Sequence, residues 1–325
     1  MLRPIPTKTA PLWIGPGDRS LITADDLCGV KAWLHAFRLR TLPLAISSII
    51  VGGALARQHG EFNVHVFTLS LVTAILLQIL SNLSNDLGDH LHGLDNPDRI
   101  GPVRSVQGGS ISTAAMQRAM LIVASLAFFS GVWLILMVFG LSLSMFGFLL
   151  VGILALGAAV KYTFGKDPYG YSGLGDISVF IFFGLVGVIG SFLLHTSEFV
   201  PNIVLPAIAF GLLSTGVLNV NNMRDISNDA ANGKITVAVR LGSRRARVYH
   251  SILIVIPLLL LLKFSFDRID GGVKWLFLVG YLPIAIHLIN VWHKRDPASL
   301  DPELKRLALG TFATAITFSI GLLLP

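Results

Sequence analysis

Long runs of apolar residues, separated by short polar segments, fill this chain from about residue 41 to its end. Each run approaches the ~20 residues that an α-helix needs to cross the hydrocarbon core of a bilayer. The pattern predicts nine spans, at residues 41–58, 64–82, 118–139, 141–160, 176–195, 201–220, 248–266, 274–292 and 305–324. We therefore predict an all-α membrane protein, a bundle of nine transmembrane helices.

The segment before the first span has a different pattern. Residues 1–22 are polar and contain several prolines, and we interpret them as a mobile tail. Thr23 with Asp26 three residues later is typical of a helix start. Apolar and basic positions then alternate at helical spacing, which predicts an amphipathic helix on the membrane surface. Its apolar positions are Leu27, Val30, Leu34 and Phe37, and its basic ones are Lys31, Arg38 and Arg40. Residues 23–325 are expected to form a single transmembrane domain.

The basic residues set the orientation of this bundle. If the nine spans cross the membrane in turn, all but four of the 25 Lys and Arg residues lie on the same side of the membrane as the N-terminus. The exceptions are Arg57, Lys263, Arg268 and Lys274. Because Lys and Arg concentrate on the cytoplasmic side of membranes, we expect a cytoplasmic N-terminus and an external C-terminus. The expected location is the cytoplasmic (inner) membrane.

Acids and amides close two of the apolar runs. The second predicted helix, continued past Leu80, carries four of them on one face, at separations of three and four residues: Asn82, Asn85, Asp86 and Asp89. We call these residues the first stripe. The second stripe closes the sixth predicted helix, at a strict four-residue spacing: Asn221, Asp225 and Asp229. Both stripes fall in Asp-rich segments on the predicted cytoplasmic side, so we expect them to form one site. Two such units also suggest an ancestral duplication of four helices.

The chemistry of the stripes favours a magnesium-bound diphosphate. Aspartate oxygens without neighbouring cysteines suit Mg²⁺, which prefers a few carboxylates together with waters and substrate phosphates. Basic residues that suit phosphate accompany both stripes: Arg99, Arg104, Arg224, Lys234 and Arg240. The alternative, that the acids only balance basic orientation signals, is disfavoured because acids contribute little to orientation. His90 and His92 lack a third soft ligand, so we interpret them as loop residues.

Composition supports a membrane protein and excludes several other classes. The chain is 53% hydrophobic and only 13% charged, with a mean hydropathy of +0.72, whereas about a quarter of a soluble domain is charged. The single cysteine, Cys28, excludes an internal disulfide and a cysteine-cluster metal site. The net charge of +7 is spread over many loops. We therefore expect membrane lipid, and not nucleic acid, as a partner.

Several longer motifs resemble one family of membrane enzymes. Asn85-Asp86-x-x-Asp89 with the later Asp95, paired with Asp225-x-x-x-Asp229, resembles the UbiA superfamily of intramembrane prenyltransferases. Four stretches are similar to its 1,4-dihydroxy-2-naphthoate polyprenyltransferase branch: residues 38–43, 98–104, 168–176 and 221–234. The resemblance covers the chain from about Trp33 onwards. Leu39 departs from it, because the family commonly has proline there, and Asp95 stands further on than in the 4-hydroxybenzoate enzymes.

The resemblance implies a reaction and a set of residues. It implies Mg²⁺-dependent transfer of a polyprenyl group from a polyprenyl diphosphate to 1,4-dihydroxy-2-naphthoate, with decarboxylation, giving a demethylmenaquinol. The implied metal ligands are Asp86, Asp89, Asp225 and Asp229. The implied diphosphate-binding residues are Asn82, Asn85, Arg99, Arg104, Asn221, Arg224, Lys234 and Lys166, and further candidates are Asp95, Tyr162, Tyr169 and Arg240.

Two alternative functions remain at this point. A related prenyltransferase could use another acceptor, such as 4-hydroxybenzoate, haem or a plastid quinone precursor, and a product assay separates these. A cation channel or transporter should carry its acids at the membrane midplane or on both faces, whereas both stripes fall on one face. The Asp-Gly-x-x-Ala-Arg pattern of phosphatidyl-type transferases is absent from the sequence.

Overall fold

The computed structural model describes residues 29–96, 99–268 and 272–324. The predicted tail and the predicted helix start at Thr23 and Asp26 lie outside the described residues. Within the described ranges the fold is helical, without strands.

Eleven helices follow one another, and nine segments are long and apolar enough to cross a membrane, all within the described ranges. The helices are α1 (Val30–Phe37), α2 (Leu42–Gln58), α3 (Val64–Leu91), α4 (Thr113–Phe139), α5 (Leu143–Lys161), α6 (Gly175–Thr196), α7 (Val204–Arg224), α8 (Ile226–Ala231), α9 (Val237–Arg268), α10 (Phe277–His293) and α11 (Asp301–Leu323). The short helices α1 and α8 lie outside the nine predicted spans. The prediction of nine transmembrane helices is confirmed.

Polar side chains cap the N-termini of three consecutive helices in the first half of the bundle, α3, α4 and α5. The side chain of Asn63 accepts hydrogen bonds from the backbone N–H groups of His65 and Val66 at the start of α3. Ser112 and Ser142 accept in the same way at the starts of α4 and α5. Each cap satisfies a backbone donor that the helix itself leaves unpaired.

Two apolar cores hold the bundle together. The larger core joins α2, α6, α7, α9, α10 and α11, with Phe210 and Phe318 among its fully buried side chains. The smaller core joins α1, α3, α4 and the segment around Ile111. Residues of α4 and α5 such as Phe129, Trp133 and Leu143 are exposed. Apolar surface of this extent is typical of helices that face lipid.

The predicted surface helix is present as α1, and it packs against α3 through small residues. Ala32 and Ala36 are buried in the smaller core, whereas Val30 and Leu34 are exposed. The face that contacts protein therefore combines the two alanines with the partly buried Trp33 and Phe37, whereas Val30 and Leu34 lie on the exposed side.

Two helices differ from the simple spans that the sequence predicts. The middle of α6, Phe180–Gly190, is a wider π-helix, flanked by α-helical turns. The helix α9 begins well before the predicted residue 248 and turns sharply at Gly242, where φ is +71°. Its basic first part, around Arg244, is helical and extends the helix beyond the predicted span.

Candidate active site

The first stripe lies on α3, which stays helical to Leu91 as the spacing of its polar residues requires. Asn82, Asp86 and Asp89 are buried on one face of this helix. The second stripe is less regular than predicted. The helix α7 ends at Arg224, Asp225 has non-helical backbone angles, and Asp229 lies in the separate helix α8. The expected continuous helix through the second stripe is therefore wrong, although Asp229 N–H still bonds to the Asp225 carbonyl.

Both stripes contribute to one cavity of about 420 Å³. From the first stripe, Asn85, Asp86 and Asp89 line it, and from the second-stripe segment Asn221 and Arg224 do so. A direct hydrogen bond joins the two regions, since the Asn228 side chain donates to the Leu94 carbonyl at 3.2 Å. The two polar ends of α3 and α7 thus face each other across a shared space.

Each acid of the first stripe is held by partners from the following loop or from the 168–176 segment. Asp86 accepts hydrogen bonds from the backbone N–H groups of Ser105 and Val106, both at 3.2 Å. Asp89 pairs with Arg104 at 2.5 Å and accepts a hydrogen bond from the Tyr171 hydroxyl at 2.7 Å. These contacts fix the carboxylates at the cavity wall.

The acids of the second stripe lie behind the cavity wall, paired with basic residues that do line it. Both oxygens of Asp225 bind the Arg224 guanidinium, at 2.9 and 2.7 Å. Asp229 lies 3.7 Å from Lys234, whose ammonium group stands over the Tyr171 ring at 5.5 Å. Burial raises the pKa of Asp229 to about 6, against the opposing charge of Lys234. Tyr171 therefore contacts Asp89 of the first stripe and also Lys234, the basic partner of Asp229 in the second stripe.

Asp95 lies between two arginines. It is 3.5 Å from Arg99 and 3.4 Å from Arg104, and burial raises its pKa. Burial also lowers the pKa of Arg99 to about 10. Burial alone would lower the pKa of Arg104 as well, but the neighbouring Asp89, Asp95 and Asp86 raise it. The cavity therefore contains permanent positive charge next to its carboxylates.

Other predicted residues are divided between the cavity wall and its surroundings. Tyr162 lines the cavity, and burial raises its pKa well above the usual value. Asn82 instead donates to the Phe37 carbonyl and the Thr41 hydroxyl, both at 2.9 Å. Three further predicted residues lie away from the wall. Tyr169 bonds to the Ala158 carbonyl and the Ser178 hydroxyl, Arg240 donates to the Ser172 carbonyl, and Lys166 is exposed.

Several lining residues were not among the predicted site residues. They include His35, Arg38, Arg40, Thr163 and Asn222, and Tyr171, which is not itself a lining residue, bonds directly to Asp89. Tyr171 and Arg38 fall inside motifs that the family resemblance singles out. Their roles depend on contacts between distant segments, so helical spacing alone does not reveal them.

The donor set fits Mg²⁺. Among the described residues, no group of three His, Cys, Asp or Glu side chains stands ready as a metal cage. Mg²⁺ does not need such a cage, because it binds through one or two carboxylates, waters and substrate phosphates. Asp86 and Asp89 reach the cavity wall, and one buried oxygen of Asp229 has no hydrogen-bond partner among the described residues. Hard oxygen atoms with remaining acceptor capacity are the ligands that Mg²⁺ requires.

Taken together, the fold and the site define a polytopic membrane protein with a charged cavity at one end of its helical bundle, suited to a magnesium-bound phosphate ester. The UbiA prenyltransferase family matches residues 45–320, and the chain belongs to this family.

Close relatives cover almost the whole chain. The 1,4-dihydroxy-2-naphthoate octaprenyltransferase of Escherichia coli (strain K12) is 44% identical over 93% of this chain and 98% of that protein. The protein of the same name from Haemophilus influenzae is 44% identical over 91% of this chain and 96% of its own length.

Solved structures share the fold. A UbiA homologue from Aeropyrum pernix K1 in its apo form superposes with a TM-score of 0.67, at 16% identity over 87% of this chain and 97% of that one. A UbiA homologue from Archaeoglobus fulgidus bound to GPP and Mg²⁺ superposes with a TM-score of 0.59, also at 16% identity, over 89% of this chain and 99% of that one.

Proposed function

We propose that this protein transfers a polyprenyl group from a polyprenyl diphosphate to 1,4-dihydroxy-2-naphthoate, with loss of carbon dioxide, in menaquinone biosynthesis. The observation that carries this proposal is the meeting of the two stripes at one cavity. The names of the relatives, which are 44% identical over nearly the full length, support the acceptor.

Four cationic side chains at the cavity wall bind and neutralise the diphosphate: Arg99, Arg104, Arg224 and Lys234. Each of them is paired with a carboxylate that fixes its direction, as Arg104 is with Asp89. The bond between the allylic carbon and the diphosphate oxygen breaks, and the electron pair leaves with the diphosphate. Fixed positive charge near the leaving oxygen stabilises the transition state without rearrangement of the site.

The metal ligands in this proposal are Asp86, Asp89, Asp225 and Asp229, of which the first two line the cavity. When bound, Mg²⁺ supplies Lewis-acid stabilisation of the leaving diphosphate. The solved homologue with GPP and Mg²⁺ supports this assignment by its fold. The apolar helices keep water from the allylic cation, which the ring carbon bearing the carboxylate then attacks. Loss of carbon dioxide restores the aromatic ring and gives the demethylmenaquinol.

The proposed location is the cytoplasmic membrane, with the N-terminus inside and the C-terminus outside. An odd number of spans puts the two ends on opposite sides, and the stripes share one end of the bundle with most of the Lys and Arg residues. This orientation would place the cavity where soluble naphthoate is supplied.

Turnover by membranes that contain this chain tests the proposal. With carboxyl-labelled 1,4-dihydroxy-2-naphthoate and a polyprenyl diphosphate, we expect labelled carbon dioxide and a prenylated naphthoquinol in equal amounts. Chelation with EDTA should stop the reaction, and added Mg²⁺ should restore it. Full activity without a divalent ion would contradict the metal assignment. Prenylation of 4-hydroxybenzoate in place of the naphthoate would contradict the acceptor.

A further inference from the structure

Arg38, which is partly buried, differs from Arg99, Arg104 and Arg224 in making no contact with an acidic side chain. Arg99, Arg104 and Arg224 each pair with an aspartate. Arg38 also lines the cavity, yet within the described ranges its side chain makes no hydrogen bond or contact ion pair, and Asp86 and Asp89 act on its charge only through space. A guanidinium that presents five donors to a cavity without an acceptor is prepared for an anionic ligand.

The backbone at Arg38 is held in an uncommon conformation. Its φ of 49° and ψ of 58° lie in the left-handed region, between the end of α1 and the turn Leu39–Thr41. This conformation is unfavourable for a residue other than glycine, so neighbouring contacts must maintain it. Thr41 donates twice to the Arg38 carbonyl, from N–H at 2.8 Å and from its hydroxyl at 2.9 Å.

Asn82 of the first stripe braces the same turn. Its side-chain amide donates to the Phe37 carbonyl and to the Thr41 hydroxyl, on either side of Arg38. Asn82 is buried. Through its two hydrogen bonds, α3 fixes the backbone of this turn and therefore the direction of the Arg38 side chain. In this arrangement Asn82 acts through Arg38 and does not itself reach the cavity wall.

The surroundings of Arg38 suit an aromatic carboxylate better than a second phosphate. Leu34 and Leu39 line the cavity beside it, and apolar side chains can pack against the faces of a planar ring. The diphosphate already has Arg99, Arg104, Arg224 and Lys234 close to the acids. A guanidinium binds a carboxylate through two parallel hydrogen bonds, which orient the attached ring as well as hold it.

We propose that Arg38 binds the carboxylate of the aromatic acceptor, and that Asn82 is the positioning residue that holds Arg38 in place. The assignment rests on the proposed function, because it takes the acceptor from it. It explains how the site selects an acceptor that carries a carboxylate on the reacting carbon. It also explains product release, since the prenylated product has lost the group that Arg38 holds.

Two inhibitors that differ only in the carboxylate test this assignment. The wild-type protein should bind 1-hydroxy-2-naphthoate more tightly than 1-naphthol, and Arg38→Gln should reduce the ratio of the two inhibition constants by about tenfold or more. The KM for the polyprenyl diphosphate should stay within about twofold. Asn82→Ala should reduce the same ratio, whereas Arg118→Gln, on an exposed part of α4, should leave it unchanged.

Direct binding and melting measurements keep the test decisive if a variant has no turnover. Binding of the same two compounds to purified protein in detergent then gives the ratio, and an unchanged melting temperature shows that the variant is folded. An unchanged ratio in folded Arg38→Gln overturns the assignment, whatever happens to the diphosphate KM. Failure of the wild-type protein to bind or turn over the naphthoate would instead overturn the proposed function.

Discussion

At the scale of single residues, Arg224 shows how a cavity side chain is fixed from three directions. Its guanidinium binds Asp225, the Asn221 side chain and Asp301 at the start of α11. Asp301 lies 77 positions away in the sequence and is partly exposed, at 38% of its side chain. The contact means that the last transmembrane helix helps to position Arg224, the basic partner of Asp225 in the second stripe.

We expect Asp301→Asn to weaken donor binding. Without this carboxylate the Arg224 guanidinium keeps Asp225 but loses the partner that fixes its other end. The KM for the polyprenyl diphosphate should rise by about two- to fivefold, the range for a partly exposed ion pair, while kcat changes little. Steady-state kinetics measure both constants. The variant Asp301→Glu, which keeps a carboxylate, should have a KM close to that of the wild type.

Asp296→Asn is the matched control for this prediction. Asp296 is exposed in the loop that precedes α11, and its carboxylate has no partner among the described residues. If Asp301→Asn and Asp296→Asn gave the same kinetics as the wild type, the tether from α11 to Arg224 would have no functional role.

Residue-level predictions from the sequence succeeded where the contacts lie within one helix. Asp86 and Asp89 are three positions apart, and an uninterrupted α3 places both at the cavity. The pattern failed for the second stripe, because the helix breaks at Asp225. Arg38, which lines the cavity, and Tyr171, which bonds to Asp89, were missed as site residues because both lie in turns, whose geometry no apolar periodicity encodes.

At the scale of helices, the close approach of α6 and α7 depends on glycine. A Cβ at Gly184 would lie 2.7 Å from the Ala207 carbonyl and 2.8 Å from the Gly211 Cα. Small residues at such crossings allow transmembrane backbones to pack closely. The π-helical part of α6 includes this contact, and α7 carries the second stripe at its far end, so the crossing supports the site.

Gly184→Val should destabilise the bundle. The added methyl groups would meet backbone atoms that cannot move aside, and overpacking of this kind costs about 1–3 kcal/mol. A thermal melt in detergent should show a lower melting temperature for this variant. Gly147→Val on α5 is the control, because a Cβ there has open space around it and should leave the melt unchanged. Equal melting temperatures for the two variants would show that the crossing tolerates a wider separation.

The apolar runs predicted which helices exist, but not how polar groups inside the bundle pair. His250 and His287 contact each other through their Nε2 atoms at 2.8 Å, and His287 Nδ1 lies 3.2 Å from Glu303. These residues come from α9, α10 and α11, and all three are fully buried. Buried polar groups of this kind require partners, yet their sequence positions only indicate that a partner is needed, not which residue supplies it.

At the scale of the whole molecule, the two ends of the bundle have different compositions. One end carries both stripes, the cavity, the basic first part of α9 around Arg244 and the basic loop around Arg295. The other end holds the loops after α2 and α6, which meet where the Asn63 backbone N–H bonds to the His195 ring. Since Lys and Arg concentrate in cytoplasmic loops, the end with the stripes should face the cytoplasm.

Labelling of single cysteines in intact cells tests this orientation. In a Cys28→Ser background, cysteines replace one exposed residue in each of four connecting segments between the spans: Glu61, Glu198, Arg244 and Asp296. A membrane-impermeant maleimide should react with the first two variants in intact cells, because their loops lie at the end opposite the cavity. It should react with the last two only after the membrane is permeabilised. The reverse pattern would put the cavity outside the cell, away from any cytoplasmic supply of naphthoate, and would contradict both the orientation and the access route for the acceptor. Reaction of one cysteine from each pair would instead show that the number of crossings between them is wrong.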